Sequence, residues 1–336
     1  MAVMRAVRLH LPTRTLSVEE VERPVPGPGQ VLVKVEAAGV CLSDVHLVDG
    51  TLTPLYLPGE SVTLGHEVAG TVAELGPESG RWQVGDRVVL QAGEKRDGIT
   101  WTRGVDYDGG WAEYALARVD TLFALPGSIP FEQGSIIPDA VSTPWGAVTT
   151  TGGVRPAEPV GVWGVGGLGA HSVQLLRAVG AHPIVAVDPA PAARERALAF
   201  GADLALDSAD PELAAKIGAA TGGAGLAAAF DFAGVPAVRE QALKVLGARG
   251  RLVLVGLTDQ PLTVADGIRF SYLQQQILGH YGSEEEAVPQ LIALAAGGRL
   301  DFSRSVSEVL PLERAAEAVE RLHTKQGNPI RLILKP

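Results

Sequence analysis

Val160-Gly161-Val162-Trp163-Gly164-Val165-Gly166-Gly167-Leu168-Gly169 carries a short apolar segment straight into a GxGxxG loop, and a helix-like run with apolar Val173, Leu175, Leu176 and Val179 follows. Strand, glycine loop and helix in that order form the context in which such a loop binds a dinucleotide. Gly164 permits the tight turn, Gly166 lets the backbone approach a pyrophosphate, and Gly169 lets the helix pack close to the strand. With Gly167 and Leu168 between them, the backbone N–H groups and the helix dipole stabilise the phosphate charge.

The surroundings extend this reading. Pro183-Ile184-Val185-Ala186-Val187 is a second strand, and Asp188 ends it 188 − 169 = 19 positions after the last loop glycine. A carboxylate at about that distance binds both ribose hydroxyls and repels a 2′-phosphate, which favours NAD over NADP. Arg194 and Arg196 follow closely enough to accept a phosphate, so NADP stays open. Alternation continues with a helix over 192–200, a strand Leu226–Asp231, a helix over 235–246 and a strand Arg251–Val255. Strands alternating with helices give an α/β fold with a doubly wound parallel sheet of Rossmann type.

Upstream the pattern differs. The breaker cluster Pro24-Val25-Pro26-Gly27-Pro28-Gly29-Gln30 precedes Val31–Ala37, and Glu67–Val72 and Asp86–Leu90 are further strands near glycine. The start, Met1 to Arg8, alternates like an edge strand. This region predicts a partly open, barrel-like β domain over 1–150, with the Rossmann unit over 151–284. Two helical patterns, 284–296 and 312–323, and the strand Ile330–Leu334 complete the chain. Periodicity alone leaves open whether this tail extends the second unit or returns to the first.

A chain of 336 residues is ample for two such domains. Its net charge of −10 argues against nucleic acid or an anionic membrane as a partner. No apolar run approaches the ~20 residues of a membrane span, and the start lacks the features of a signal peptide. With one cysteine there is no intramolecular disulfide to require an oxidising compartment, so the expected location is cytoplasmic.

Three stretches of the β region carry chemistry: Gly39-Val40-Cys41-Leu42-Ser43-Asp44-Val45-His46, Leu64-Gly65-His66-Glu67, and Ile136-Ile137-Pro138-Asp139-Ala140-Val141-Ser142-Thr143. Singly each is bland. A lone cysteine is usually a small buried hydrophobe, and Asp139 after Pro138 reads equally as a helix cap. Together they change meaning, because a catalytic zinc needs three N, S or O ligands and one open position, beside a hydride carrier that it can serve.

In this order and spacing, with Gly109–Tyr114, Phe230–Gly234 and Ile330–Leu334, the chain resembles the zinc-dependent alcohol dehydrogenases of the medium-chain dehydrogenase/reductase superfamily over essentially its whole length. The resemblance implies a GroES-like catalytic domain that takes back the tail over 285–336. It also implies one catalytic zinc on Cys41, His66 and Asp139, where many relatives have cysteine at the third position. Glu67 matches a carboxylate able to approach the metal, and Asp44 one that accepts a hydrogen bond from His66. Ser43 and His46 match a relay that removes the alcohol proton while hydride passes to the nicotinamide. Arg331 matches an arginine that contacts the pyrophosphate.

One departure is plain: many relatives hold a second, structural zinc on four cysteines in the stretch corresponding to residues 91–106, and here that stretch has none. Its lobe must therefore be held by packing and hydrogen bonds. Trp111, Trp145, Leu52, Leu55 and Leu57 are pocket candidates for a small or medium alcohol, ketone or aldehyde, with secondary alcohols favoured. The resemblance further implies a homodimer or homotetramer paired through a strand such as Gln276–Tyr281. Two rival readings are a zinc-free reductase of the same superfamily, acting on quinones or enoyl thioesters, and a non-catalytic cofactor-binding protein.

Overall fold

The computed structural model describes residues 2–284 and 286–336, and the chain divides into two units, Met1–Ala140 with Glu285–Pro336, and Val141–Glu284. The division falls at Ala140, ten residues before the expected boundary at 150 and within a run of short helical turns over 137–151. The turns after the boundary, Ser142–Gly146 and Ala147–Thr151, pack on the helix Gly169–Val179 of the second unit.

In the first unit, β1 (Val3–His10) buries Met4 and Ala6 on one face and Val7 and Leu9 on the other. β1 is not an edge, as its sequence suggested. It lies between β2 (Thr15–Glu22) and β4 (Ser61–Thr63), pairing antiparallel with both. Alternation reports a half-buried face, which central and edge strands share, so it could not decide this.

The larger sheet runs β10 (Leu122–Ala124), β6 (Arg87–Leu90), β5 (Val68–Leu75), β3 (Gln30–Val40), β18 (Arg331–Lys335), β17 (Val306–Pro311), with β9 (Tyr114–Arg118) also on β3. The tail thus returns to the first unit: Leu332, Ile333 and Leu334 of β18 pair antiparallel with Val40, Gly39 and Ala38 of β3. Val31, Val33, Val35, Val68, Val72, Leu90, Leu332 and Leu334 fill one core. That pairing sets Arg331 at the end of β3, directly before Cys41.

The cysteine-free lobe is an antiparallel hairpin, β7 (Gly93–Arg96) and β8 (Ile99–Thr102). Asp97 (φ 50°) and Gly98 (φ 79°) make its two-residue turn, the left-handed pair such hairpins require. Asp106 accepts hydrogen bonds from the N–H groups of Leu55, Tyr56 and Thr102. The fully buried Arg103 donates to the carbonyls of Leu116 and Gln91. Arg96 lies over the rings of Trp101 and Tyr107, and Trp101 stacks on Tyr56. Carboxylate, guanidinium and aromatic contacts fasten this lobe, as a stretch without thiolates must be fastened.

The second unit is a six-stranded sheet ordered β13 (Leu204–Leu206), β12 (Ile184–Val187), β11 (Val160–Trp163), β14 (Leu226–Asp231), β15 (Leu246–Leu254), β16 (Gln276–Gly279), parallel throughout. The order reverses between β11 and β14, where doubly wound sheets bind ligands beyond the carboxyl ends of their strands. Trp163, Val185, Val187, Leu226, Ala229 and Leu252 form its core. No helix among the described residues is long and apolar enough to cross a membrane.

Candidate metal centre and cofactor loop

Cys41 leaves β3 in extended conformation and caps the helix Leu42–Asp49. Asp44, three positions on, reaches back so that its Oδ2 accepts the Cys41 N–H at 2.8 Å. A carboxylate in this place satisfies an orphan N–H and favours the helix N-terminus, and here it also fixes the cysteine. His66 follows Gly65, whose φ of +96° turns the chain before β5. The side chain that dictates glycine there is Trp111: a Cβ on Gly65 would stand 2.2 Å from its ring. Trp111 is fully buried and donates its ring N–H to the Gly39 carbonyl at 3.0 Å. It is therefore core that braces the metal-binding segments, not a pocket wall.

Asp139 sits in a single wide helical turn, Ile137–Val141, between the helices Phe131–Ser135 and Ser142–Gly146. Pro138 has no N–H and cannot continue an α-helical ladder, and wide turns of this kind recur at functional sites. A proline within a helical run was the signal in the sequence, and a simple cap was the wrong shape to expect.

These three segments converge. The Cys41 Sγ stands 3.3 Å from Asp139 Oδ2, and His66 Nε2 stands 3.5 Å from the same oxygen. With a Glu67 oxygen, the four donor atoms all lie within 4.8 Å of one another. On the other side of the ring, His66 Nδ1 faces Asp44 Oδ1 at 3.7 Å, too long for a hydrogen bond, and neither atom has a protein partner. The orientation is the one expected of Asp44, without the bond.

Arg331 is the surprise. The resemblance implied a pyrophosphate contact for it; in the structure it is 2% exposed inside this cluster. Its Nε donates to Glu67 Oε1 at 3.1 Å, and its Nη2 lies 3.6 Å from Cys41 Sγ and 3.8 Å from Asp139 Oδ2. Sequence reasoning missed this because the partners are 264 and 290 positions away. Glu67 is fully buried. Its Oε1 also accepts the Ala140 N–H at 3.1 Å, while its Oε2 has no partner among protein atoms.

The electrostatics describe a group short of positive charge. Burial pushes the Glu67 carboxyl up to about 7 against the pull of Arg331. Burial likewise raises the Cys41 thiol, again opposed by Arg331. Arg331 itself is held cationic, despite its burial, by Glu67, Cys41 and Asp139. One thiol, one imidazole and carboxylate oxygens of mixed softness, with an orphaned buried oxygen, fit zinc. They fit a bare structural role poorly, because Arg331 alone leaves Glu67 Oε2 buried without a partner, and such an acceptor is costly.

Ser43 and His46 lie on the helix that Cys41 caps, three residues apart and so on one face. Ser43 Oγ is 3.9 Å from Cys41 Sγ. Both side chains are half-buried.

In the second unit, the three loop glycines are needed for three different reasons. Gly164 has φ +85°. A Cβ on Gly169 would stand 1.8 Å from the Gly164 carbonyl oxygen, whereas one on Gly166 would meet nothing within 4 Å. That open space is where a pyrophosphate can approach the backbone, at the start of the helix Gly169–Val179. Asp188 Oδ2 accepts the Val165 N–H and its Oδ1 the Ala190 N–H, both at 2.8 Å, so the carboxylate also fastens the loop. Each oxygen keeps a lone pair for a ribose hydroxyl. Arg194 is committed to Asp207 and to the carbonyls of Asp188 and Pro189. Arg196 donates to the Val165 carbonyl at 2.9 Å.

Known proteins resemble this chain in both units. A family model for the alcohol dehydrogenase GroES-like domain matches residues 27–127, and one for the zinc-binding dehydrogenase matches 167–297. An alcohol dehydrogenase of Geobacillus stearothermophilus is 31% identical over 352 residues, covering 99% of both chains. An NAD-dependent alcohol dehydrogenase of Sulfurisphaera tokodaii is 30% identical, covering 95% of this chain and 96% of that one. The crystal structure of 2R,3R-butanediol dehydrogenase from Bacillus subtilis matches with a TM-score of 0.91 at 26% identity, over 99% of each chain. With its glycine loop, its donor cluster and these relatives, the chain belongs to the zinc-type alcohol dehydrogenases of the medium-chain dehydrogenase/reductase superfamily.

Proposed function

We propose that this alcohol dehydrogenase holds a single zinc on Cys41, His66 and Asp139, prefers NAD, and interconverts small or medium secondary alcohols and their ketones, with primary alcohols as poorer substrates. The observation that carries the metal assignment is the convergence of sulfur, nitrogen and oxygen donors from three separate segments within 4.8 Å. When bound, zinc supplies Lewis acidity to the substrate oxygen.

The chain's own residues do the rest. Asp44 fixes Cys41 through its N–H and faces the ring of His66 with its other oxygen. The Ser43 hydroxyl, next to Cys41, accepts the alcohol proton as it gives up its own by way of the cofactor ribose to His46, one turn along the same half-buried helix face, which releases it to solvent. Asp139 offers oxygen instead of a thiolate, as the preference for secondary alcohols presumes, and the butanediol relative acts on such alcohols by name. Of the apolar pocket candidates, Leu52 and Leu57 pack against the core, Leu55 is 81% exposed, and Trp145 is half-buried.

The test is a panel of alcohols and ketones with NAD(H) and NADP(H), with and without a chelator. Chelator-sensitive turnover of secondary alcohols with NAD is expected. Chelator-insensitive reduction of quinones or enoyl thioesters would favour the zinc-free rival instead. NAD preference rests on the Asp188 carboxylate, which Arg194 does not pair with because Asp207 engages that arginine. Asp188→Asn is therefore expected to lower the NAD-to-NADP ratio of kcat/KM by about tenfold, the equivalent of ~1.4 kcal/mol. An unchanged ratio would remove Asp188 from the ribose site.

A homodimer through β16 completes the reading. This strand is an edge of its sheet, and Ile268, Tyr272 and Tyr281 beside it in sequence are strongly exposed, a combination that invites pairing. Light scattering is expected to give a dimer or tetramer, and a monomer at micromolar concentration would refute it.

A further inference from the structure

Four protein donors surround the metal position, yet catalysis needs one position left for substrate. Zinc sites with four protein ligands are closed and structural, and catalytic ones keep three and an opening. Glu67 is the surplus donor. Its Oε2 is buried and has no protein partner, in a space that exists only because residue 39 is glycine: a Cβ there would stand 1.9 Å from that oxygen.

We propose that Arg331 is the latch that holds Glu67 off the metal and so keeps the fourth coordination position open. The inference rests on the zinc site proposed above. Arg331 engages Glu67 Oε1 through both Nε and Nη2 at 3.1 Å, and the Ala140 N–H holds the same oxygen. Charge-assisted contacts of this kind are the strong ones. The guanidinium comes from β18 and is 2% exposed, so neither partner has water to turn to. Its Nη2 also lies against Cys41 Sγ and Asp139 Oδ2, where its charge works against that of the metal. Removing Arg331 does two things at once: it takes away a repelling cation, and it leaves Glu67 a buried, unpaired carboxylate whose nearest relief is the metal. Arg331 is a positioning residue in this account, not a catalytic one.

The experiment uses zinc-loaded wild type, Arg331→Met, Glu67→Gln and the double variant. It follows the rate of zinc loss to a chelating dye. A cobalt-substituted set is titrated with imidazole, which enters an open metal position and shifts the visible bands. Arg331→Met is expected to lose zinc about 10–100-fold more slowly, the usual scale for groups that act on a metal through its ligands, and to need correspondingly more imidazole. Adding Glu67→Gln should restore both readouts to wild-type values, which a merely structural role for Arg331 would not predict. Zinc loss from Arg331→Met as fast as from wild type, or no reversal by Glu67→Gln, overturns the proposal. Should Arg331→Met not fold, Glu67→Gln alone still decides. Wild-type zinc retention in that variant supports the latch, and retention lowered tenfold or more shows Glu67 already ligating beside Arg331, which overturns it. Wild-type protein that takes up no stoichiometric metal fails the zinc reading itself, a distinct result.

Discussion

Asp139→Ala is expected to strip the zinc and to lower kcat/KM for alcohol oxidation by about three orders of magnitude or more. Lewis-acid stabilisation of the substrate oxygen contributes several kcal/mol, and each ~1.4 kcal/mol is a factor of ten. The loss should be nearly complete because Asp139 Oδ2 is the atom the other two donors share, 3.3 Å from Cys41 Sγ and 3.5 Å from His66 Nε2. Asp139→Cys should keep the metal, since a thiolate ligates zinc at ~2.3 Å, while changing the rate and the preferred alcohol. Zinc-to-protein ratios beside steady-state assays check both. An alanine variant with full zinc and full turnover would remove Asp139 from the centre.

The second large effect concerns the frame of the cofactor loop. Asp231 ends β14, fully buried. Its Oδ1 accepts the N–H groups of Ala233 and Gly234, and its Oδ2 accepts Arg239 Nε at 2.8 Å. Arg239 in turn donates to the Gly256 carbonyl at 3.1 Å. The turn so fixed is the one against which Gly164 packs, a Cβ on which would stand 3.1 Å from the Ala233 nitrogen. Arg239→Met leaves the Asp231 carboxylate buried without its cation and is expected to cost about 3–5 kcal/mol. That is a large part of the ~5–15 kcal/mol that keeps a typical protein folded. Denaturant unfolding reads the loss as a lower midpoint, and Asp231→Asn in the same background should recover part of it by removing the unpaired charge. A loss below about 1 kcal/mol would mean that water reaches the pair.

Residues near one another in sequence were legible to different degrees. The glycine loop announced itself because strand, turn and helix are adjacent, and each glycine answers a local demand of φ or of close approach. Cys41, Ser43, Asp44 and His46 were readable as a set because one short helix presents them. Asp139 was visible as a residue but not in its setting, because a wide turn at Pro138 depends on how the flanking helices pack. Trp111 read equally as pocket wall or as core, and it braces Gly39 and Gly65 from inside the core.

The sequence by itself determined the class of the second unit and its strand–glycine loop–helix step, since periodicity and spacing are properties of the chain, while the candidate zinc donors came into view through the resemblance to a known family. Only the tertiary structure decided which strands pair. It made β1 central instead of an edge, laid β18 against β3, and thereby carried Arg331 across 290 positions to Cys41. A strand's pattern records which face it buries, but its hydrogen-bonding partners are set by long-range closure, to which local sequence is blind. The glycine loop lies within one strand–turn–helix step, whereas the contacts of Arg331 depend on that long-range closure.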